Sequence, residues 1–124
     1  MFEYWMKTDV SKLPDICRIT GHTFSQDAGA NRIGAVVTNC NEPVPITGNI
    51  IASIIRADGE TLTVSGEKDG NRAWIVLPES AYAVPGRIRI FLKVTDATGT
   101  ATIGAAEGNV YQSMTEEVIL NGNV

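Results

Sequence analysis

Turn signals recur along this sequence so often that long helices have nowhere to form. Asp27-Ala-Gly-Ala-Asn31, Asn39-Cys-Asn-Glu-Pro43, Asp58-Gly59, Lys68-Asp-Gly-Asn71, Ala83-Val-Pro-Gly86 and Asp96-Ala-Thr-Gly99 each cluster the residue types that reverse a chain. The runs between them are short, rich in Val, Ile and Thr, and largely alternate apolar with polar positions. Such runs fit pleated strands that rest one face on a core.

Strands are accordingly expected over 16–25, 32–38, 46–56, 61–65, 72–77, 87–94, 100–106 and 110–114, with 118–120 as a further short candidate. Asp58-Gly59 is a strong hairpin signal, and Ala83-Val-Pro-Gly86 has the Pro-then-Gly order of a type II turn. In 46–56, Ile50, Ala52 and Ile54 share one face and Ile51, Ser53 and Ile55 the other, which predicts a central strand covered on both sides. The cleanest alternation lies in 87–94. Ile88, Ile90, Leu92 and Val94 should face a core there, while Arg87, Arg89, Phe91 and Lys93 face away. About seven or eight short strands with no interleaved helical pattern predict an all-β, immunoglobulin-like antiparallel β-sandwich.

The 124 residues suit one domain. Residues 1–15 read as an N-terminal arm ahead of a sandwich spanning 16–124. Phe2, Tyr4, Trp5 and Met6 crowd apolar side chains into the start, and a polar stretch from Asp9 to Asp15 follows, with Pro14 stopping any helix. The aromatic residues of this arm either cap one end of the core or dock onto a neighbouring subunit. Phe91, between Arg89 and Lys93, is either an ordinary exposed aromatic or part of an interface, where aromatics and Arg are enriched. Phe2, Tyr4, Trp5, Arg87, Arg89, Phe91 and Lys93 are therefore the candidate interface residues.

Charge and hydropathy narrow the partners. With 10 basic against 14 acidic residues and no basic run, the chain lacks the clustered cations that hold a phosphate backbone, so nucleic acid is not an expected partner. No apolar stretch approaches the ~20 residues that span a bilayer, and no membrane partner is expected. The start of the chain has no basic segment leading into an apolar one, so folding in a cytoplasm is expected. Cys17 and Cys40 are too few for a disulfide scaffold and are expected to be free, partly buried thiols.

Reactive constellations are sparse. His22 is the single histidine, and its nearness to Ser25 and Asp27 is one of sequence alone, without a nucleophile elbow or oxyanion signature. Cys17, His22 and Cys40 have no zinc-ligand spacing. Asp27, Asp58, Asp69 and Asp96 each stand near a turn glycine, where Asp bonds its own backbone. Glu116 and Glu117 are adjacent and would point to opposite faces of a strand. No enzyme activity, catalytic residue, metal or cofactor is expected.

One pattern is familiar. It runs from Phe24-Ser-Gln-Asp-Ala-Gly-Ala-Asn31 through Glu42-Pro-Val-Pro-Ile-Thr-Gly48 to Ile55-Arg-Ala-Asp-Gly59. It continues with Trp74-Ile-Val-Leu-Pro78, Ala81-Tyr-Ala-Val-Pro-Gly86 and Ile88-Arg-Ile-Phe-Leu-Lys-Val-Thr95. This order of turns and strand cores resembles the N-terminal domain of upper baseplate proteins of tailed phages that infect Gram-positive bacteria, and short virion proteins of gut phages. The resemblance spans about residues 20–105. It implies an immunoglobulin-like sandwich that helps to build a virion, as a homo-oligomer attached to other phage virion proteins and assembled in the host bacterial cytoplasm. Baseplate or tail, capsid-surface and head-fibre positions all fit it, and it brings no catalytic residue and no cofactor. A carbohydrate-binding β-sandwich module is the alternative, with Trp5, Trp74, Tyr82, Phe91 and Tyr111 as the available aromatics and Trp74 and Tyr82 flanking a probable core.

Overall fold

Side-chain alternation sorts the strands into two layers. The computed structural model describes residues 2–12, 18–25 and 31–111. They form β1 (Phe2–Asp9), β2 (Arg18–Ser25), β3 (Asn31–Asn39), β4 (Glu42–Pro43), β5 (Asn49–Ile55), β6 (Thr61–Ser65), β7 (Glu67–Asp69), β8 (Arg72–Val76), β9 (Gly86–Asp96) and β10 (Gly99–Tyr111). Short 3-10 turns cover Val10–Lys12 and Glu79–Tyr82. Cys17, Asp27, Glu116, Glu117, the candidate strand at 118–120 and the side chains of His22 and Ser25 lie outside what is described.

Sheet A has the order β1-β3-β8-β7, with β4 beside the end of β3, and sheet B the order β2-β10-β9-β5-β6. Within them β3, β8 and β7 pair antiparallel, as do β10, β9, β5 and β6. The two sheets stack as an immunoglobulin-like sandwich. The all-β expectation holds, but the sheets are mixed. β1 runs parallel to β3, and β2 runs parallel to β10. Alternation assigns a residue to a face and says nothing about strand direction, so these two parallel edges have no sequence signature.

The core fills from both inner faces. Ile33, Ala35, Val37, Ala73 and Ile75 of sheet A meet Ile50, Ile54, Ile88, Ile90 and Leu92 of sheet B, all at most 4% exposed. Burying each large aliphatic side chain contributes about 1.5–3 kcal/mol. The expected inward face of β9 is confirmed at Ile88, Ile90 and Leu92.

The segment expected to be an arm is a strand. Phe2–Asp9 pairs with β3 without a break from Phe2 against Asn31 to Asp9 against Thr38. Met6 and Thr8 are each 1% exposed, and the Thr8 hydroxyl donates to the Ile103 carbonyl of β10. The Tyr4 ring meets Phe24 of sheet B edge-on at 5.3 Å. The period-2 pattern was present, with Tyr4, Met6 and Thr8 inward and Glu3, Trp5 and Lys7 outward. The polar residues that follow masked it.

Other boundaries also move. β5 begins at Asn49 rather than Ile46, because the Ile46 N–H donates to Gly70 at the end of β7. The outer residues of β5 are half-buried rather than covered by a further layer. The strand expected at 100–106 runs on without the expected break to Tyr111 as one strand, β10, with register shifts between Thr102 and Gly104 and between Ala106 and Gly108. Residues 112–114 of the next expected strand lie outside the described residues. Cys40 is free and exposed rather than partly buried, on a turn where it and Asn41 have φ of 51° and 72°.

Candidate interaction faces

On sheet B, the outward residues of β9 form the middle of an open face. Arg89 stands between Ile55 and Glu107, Phe91 between Ser53 and Ala105, and Lys93 between Ile51 and Thr102. Arg87 and Arg89 are exposed, while Phe91 and Lys93 are half-buried. Lys93 Nζ donates to Ser53 Oγ at 3.2 Å, and Arg87 pairs with Glu107. Beyond β10, β2 sets Arg18 beside Ala105. Ala105 carries only a methyl, so a notch of about 110 Å³ opens above it, walled by Phe91 and rimmed by Arg18, Arg89 and Glu107. A second groove, of about 390 Å³, lies on the other side of the same arginines, over Ile55, Ala57 and Gly59.

On sheet A, the outer face is built around Gly34. Trp5 of β1 and Trp74 of β8 flank it in register. Their rings meet edge to face at 6.2 Å, 63° apart. A Cβ on Gly34 would lie 2.5 Å from Trp5 Cζ3 and 2.7 Å from the Ala73 carbonyl oxygen, so the glycine is what lets the indole lie over the sheet. Arg32 covers Trp74 at 5.3 Å and Arg72 covers Trp5 at 5.7 Å. Arg32 also pairs with Glu3 at 3.0 Å.

The structure thus separates the candidate residues. Arg87, Arg89, Phe91 and Lys93 share the outer face of sheet B. Trp5 belongs to the outer face of sheet A, and Tyr4 points inward against Phe24. Phe2 is 54% exposed at the start of β1. Trp74, expected beside the core, faces outward, while Tyr82 packs on the core and its hydroxyl accepts a 2.5 Å bond from Asn31 Nδ2. Burial pushes the Tyr82 phenol up from its usual range, partly offset by that bond. The sequence reading missed Arg18, Ala105 and Glu107, which reach β9 through strand pairings, and the Arg32–Trp74 and Arg72–Trp5 stacks.

Asp58 and Asp96 bond turn backbone as their positions imply, and Asp9 does the same after β1. Asp58 takes Arg56 Nη2 at 2.7 Å and the Glu60 N–H. Asp96 takes the Thr98 hydroxyl and N–H and the Gly99 N–H. Asp9 takes the Ser11 hydroxyl and N–H and the Cys40 N–H. These donors hold all three carboxyls below their ordinary range, with Arg56, the Thr98 hydroxyl and the Ser11 hydroxyl the respective main causes. Among the described residues no three His, Cys, Asp or Glu side chains converge as a metal site. No described helix is long and apolar enough to cross a membrane.

No family model matches the chain, and no curated protein does. Among solved structures it is similar to the N-terminal domain of phage TP901-1 ORF48. The two share 10% identity at a TM-score of 0.49, over 91% of this chain and 99% of that one.

Proposed function

We propose that this chain is a structural component of a phage virion, an accessory baseplate or tail protein or a capsid-surface or head-fibre protein, which acts by protein–protein assembly. The observation that carries the reading is the outer face of sheet B, where Phe91 is set among Arg18, Arg87, Arg89 and Lys93. Interface cores favour this mixture of aromatic and arginine. The sequence resemblance supports it as well. Apart from 24–31, most of which lies outside the described residues, its segments fall on the entry to β5, the turn after β5, the end of β8, the 3-10 turn before β9 and β9 itself. In this reading the chain works as a homo-oligomer attached to other virion proteins, without a catalytic step.

Sugar binding would draw on Trp5 and Trp74. A sugar ring stacks on a free indole face, and here each indole already carries a guanidinium. Their 63° inclination also denies a flat platform. The test is quantitative proteomics on phage particles purified from cells that carry this gene. The chain is expected in intact particles in a fixed ratio to other structural proteins. Recovery solely from the soluble fraction would overturn the reading.

A further inference from the structure

The notch on sheet B has a chemistry that the assembly reading does not specify. We propose that it receives a carboxylate side chain from an extended acidic segment of a neighbouring virion protein; this rests on the reading of sheet B as the assembly face.

The size comes first. At about 110 Å³, the notch is well under the ~300 Å³ at which small-molecule pockets begin, so it suits one side chain and not a free metabolite. Phe91 and the Ala105 methyl line it from the outer face, an apolar seat for the methylene of an inserted Asp or Glu.

The charge comes second. Arg87 is engaged by Glu107. Arg18 and Arg89, on the rim, have no ion pair among the described residues. With Lys93, the face presents four cations (Arg18, Arg87, Arg89, Lys93) against the one acid Glu107 among the described residues, on a chain whose formal net charge is −4. An incoming carboxylate would find two guanidinium groups free to form charge-assisted hydrogen bonds. A phosphate backbone would instead meet Glu107 at the rim and repulsion from the rest of the chain.

The shape comes third. The ridge of Arg87 and Arg89 separates the notch from the 390 Å³ groove over Ile55 and Gly59. An extended segment crossing β2, β10, β9 and β5 would place alternate side chains into both depressions.

The test is a ¹H–¹⁵N NMR titration of the full chain with a capped peptide of alternating Glu and Val. The same peptide with Lys for Glu and a single-stranded oligonucleotide serve as controls. The amides of Phe91, Ala105 and Ala106 should shift with the Glu peptide alone, and affinity should fall about tenfold in R18Q/R89Q and with added salt. The R18Q/R89Q spectrum without peptide reports whether the core is intact. Equal binding of the Lys peptide, tighter binding of the oligonucleotide, or unchanged affinity in R18Q/R89Q would overturn the carboxylate assignment. If the Glu peptide fails to bind while Phe91→Ala still removes the chain from particles, the assembly face stands and the carboxylate falls. If Phe91→Ala leaves particle association intact as well, both fall.

Discussion

On sheet A, Arg32 and Arg72 lie over Trp74 and Trp5 at 5.3 and 5.7 Å, and Arg32 also holds Glu3. On sheet B, Arg18 and Arg89 stand beside Phe91 and Ala105 and have no ion pair or ring contact among the described residues. Both faces carry arginines beside aromatics, yet on sheet A both lie on indole rings, whereas on sheet B Arg87 pairs with Glu107 and Arg18 and Arg89 have no described partner. A guanidinium on an indole contributes about 0.5–1 kcal/mol at an exposed site and more when water is excluded. Since Trp5 sits on an edge strand, the sheet A stack fastens β1 to β3 and β8. Arg18 and Arg89 of sheet B make no such contact among the described residues and fasten no strand there. Substitutions on sheet A should therefore change stability, and those on sheet B association.

The largest effect should come from removing the strand that the sheet A stack holds. A chain beginning at residue 13 loses the parallel pairing of β1, the buried Met6 and Thr8, and the Tyr4 contact with Phe24. Met6 alone is worth about 1.5–3 kcal/mol, and the strand together rivals the ~5–15 kcal/mol of a typical domain. Circular dichroism should show this shortened chain largely unfolded, or melting far below the full chain. An unchanged melt would mean that β1 is a dispensable arm, and the contrast between the faces would lose its meaning.

The next test sets neighbours on β9 against each other. Leu92 is fully buried, so Leu92→Ala should cost about 2–5 kcal/mol in chemical denaturation. Phe91, on the opposite face and half-buried, should cost about 1 kcal/mol when cut to Ala, since exposed-side truncations fall at the low end of mutational effects. Should Phe91→Ala prove the more damaging, sheet B's outer face would be a second core surface.

Smaller again is the glycine under the indole. Gly34→Ala drives a Cβ into Trp5 and the Ala73 carbonyl, and overpacking of this kind costs about 1–3 kcal/mol. In a Trp5→Ala background part of that penalty should vanish, because the ring clash goes and the carbonyl clash remains. A double-mutant cycle reads the coupling directly. Strict additivity would show that Trp5 does not depend on Gly34 for its seat.

Much of this architecture was legible, for a definite reason. Wherever a strand keeps one face on the core, as in β9 and β6, period-2 alternation announces both the strand and its buried side. The candidate face on sheet B followed from β9 alone. What alternation could not announce was pairing. Arg18 and Ala105 are far apart in sequence and meet through the parallel β2–β10 ladder. Trp5 and Trp74 meet across a glycine that reads as a break in the pattern. β1 reads as an arm because the polar, proline-bearing stretch after it sets it apart, and the partner of its inward Thr8 is a carbonyl distant in sequence.

The smallest expected effect separates the two sheets by pH. Asp9 closes β1 onto the β3–β4 turn through the Cys40 N–H, while Asp96 bonds only within its own β9–β10 hairpin. Both carboxyls are held below the ordinary value of 3.8 in the folded chain, by the Ser11 and Thr98 hydroxyls first. A group whose folded pKa is depressed adds stability above its unfolded pKa and loses it as pH falls through the folded one. Between pH 5 and 8 this contribution should be complete and flat, and it should fade below about pH 4. Hydrogen exchange across that acid range should show where it fades. In Asp9→Asn, β1 amides should already exchange faster at neutral pH, and less of the acid response should remain. In Asp96→Asn, the change should stay in the hairpin. If both variants loosen only their own turns, the hold on β1 comes from the Trp5 stack and the core, and Asp9 contributes nothing at a distance.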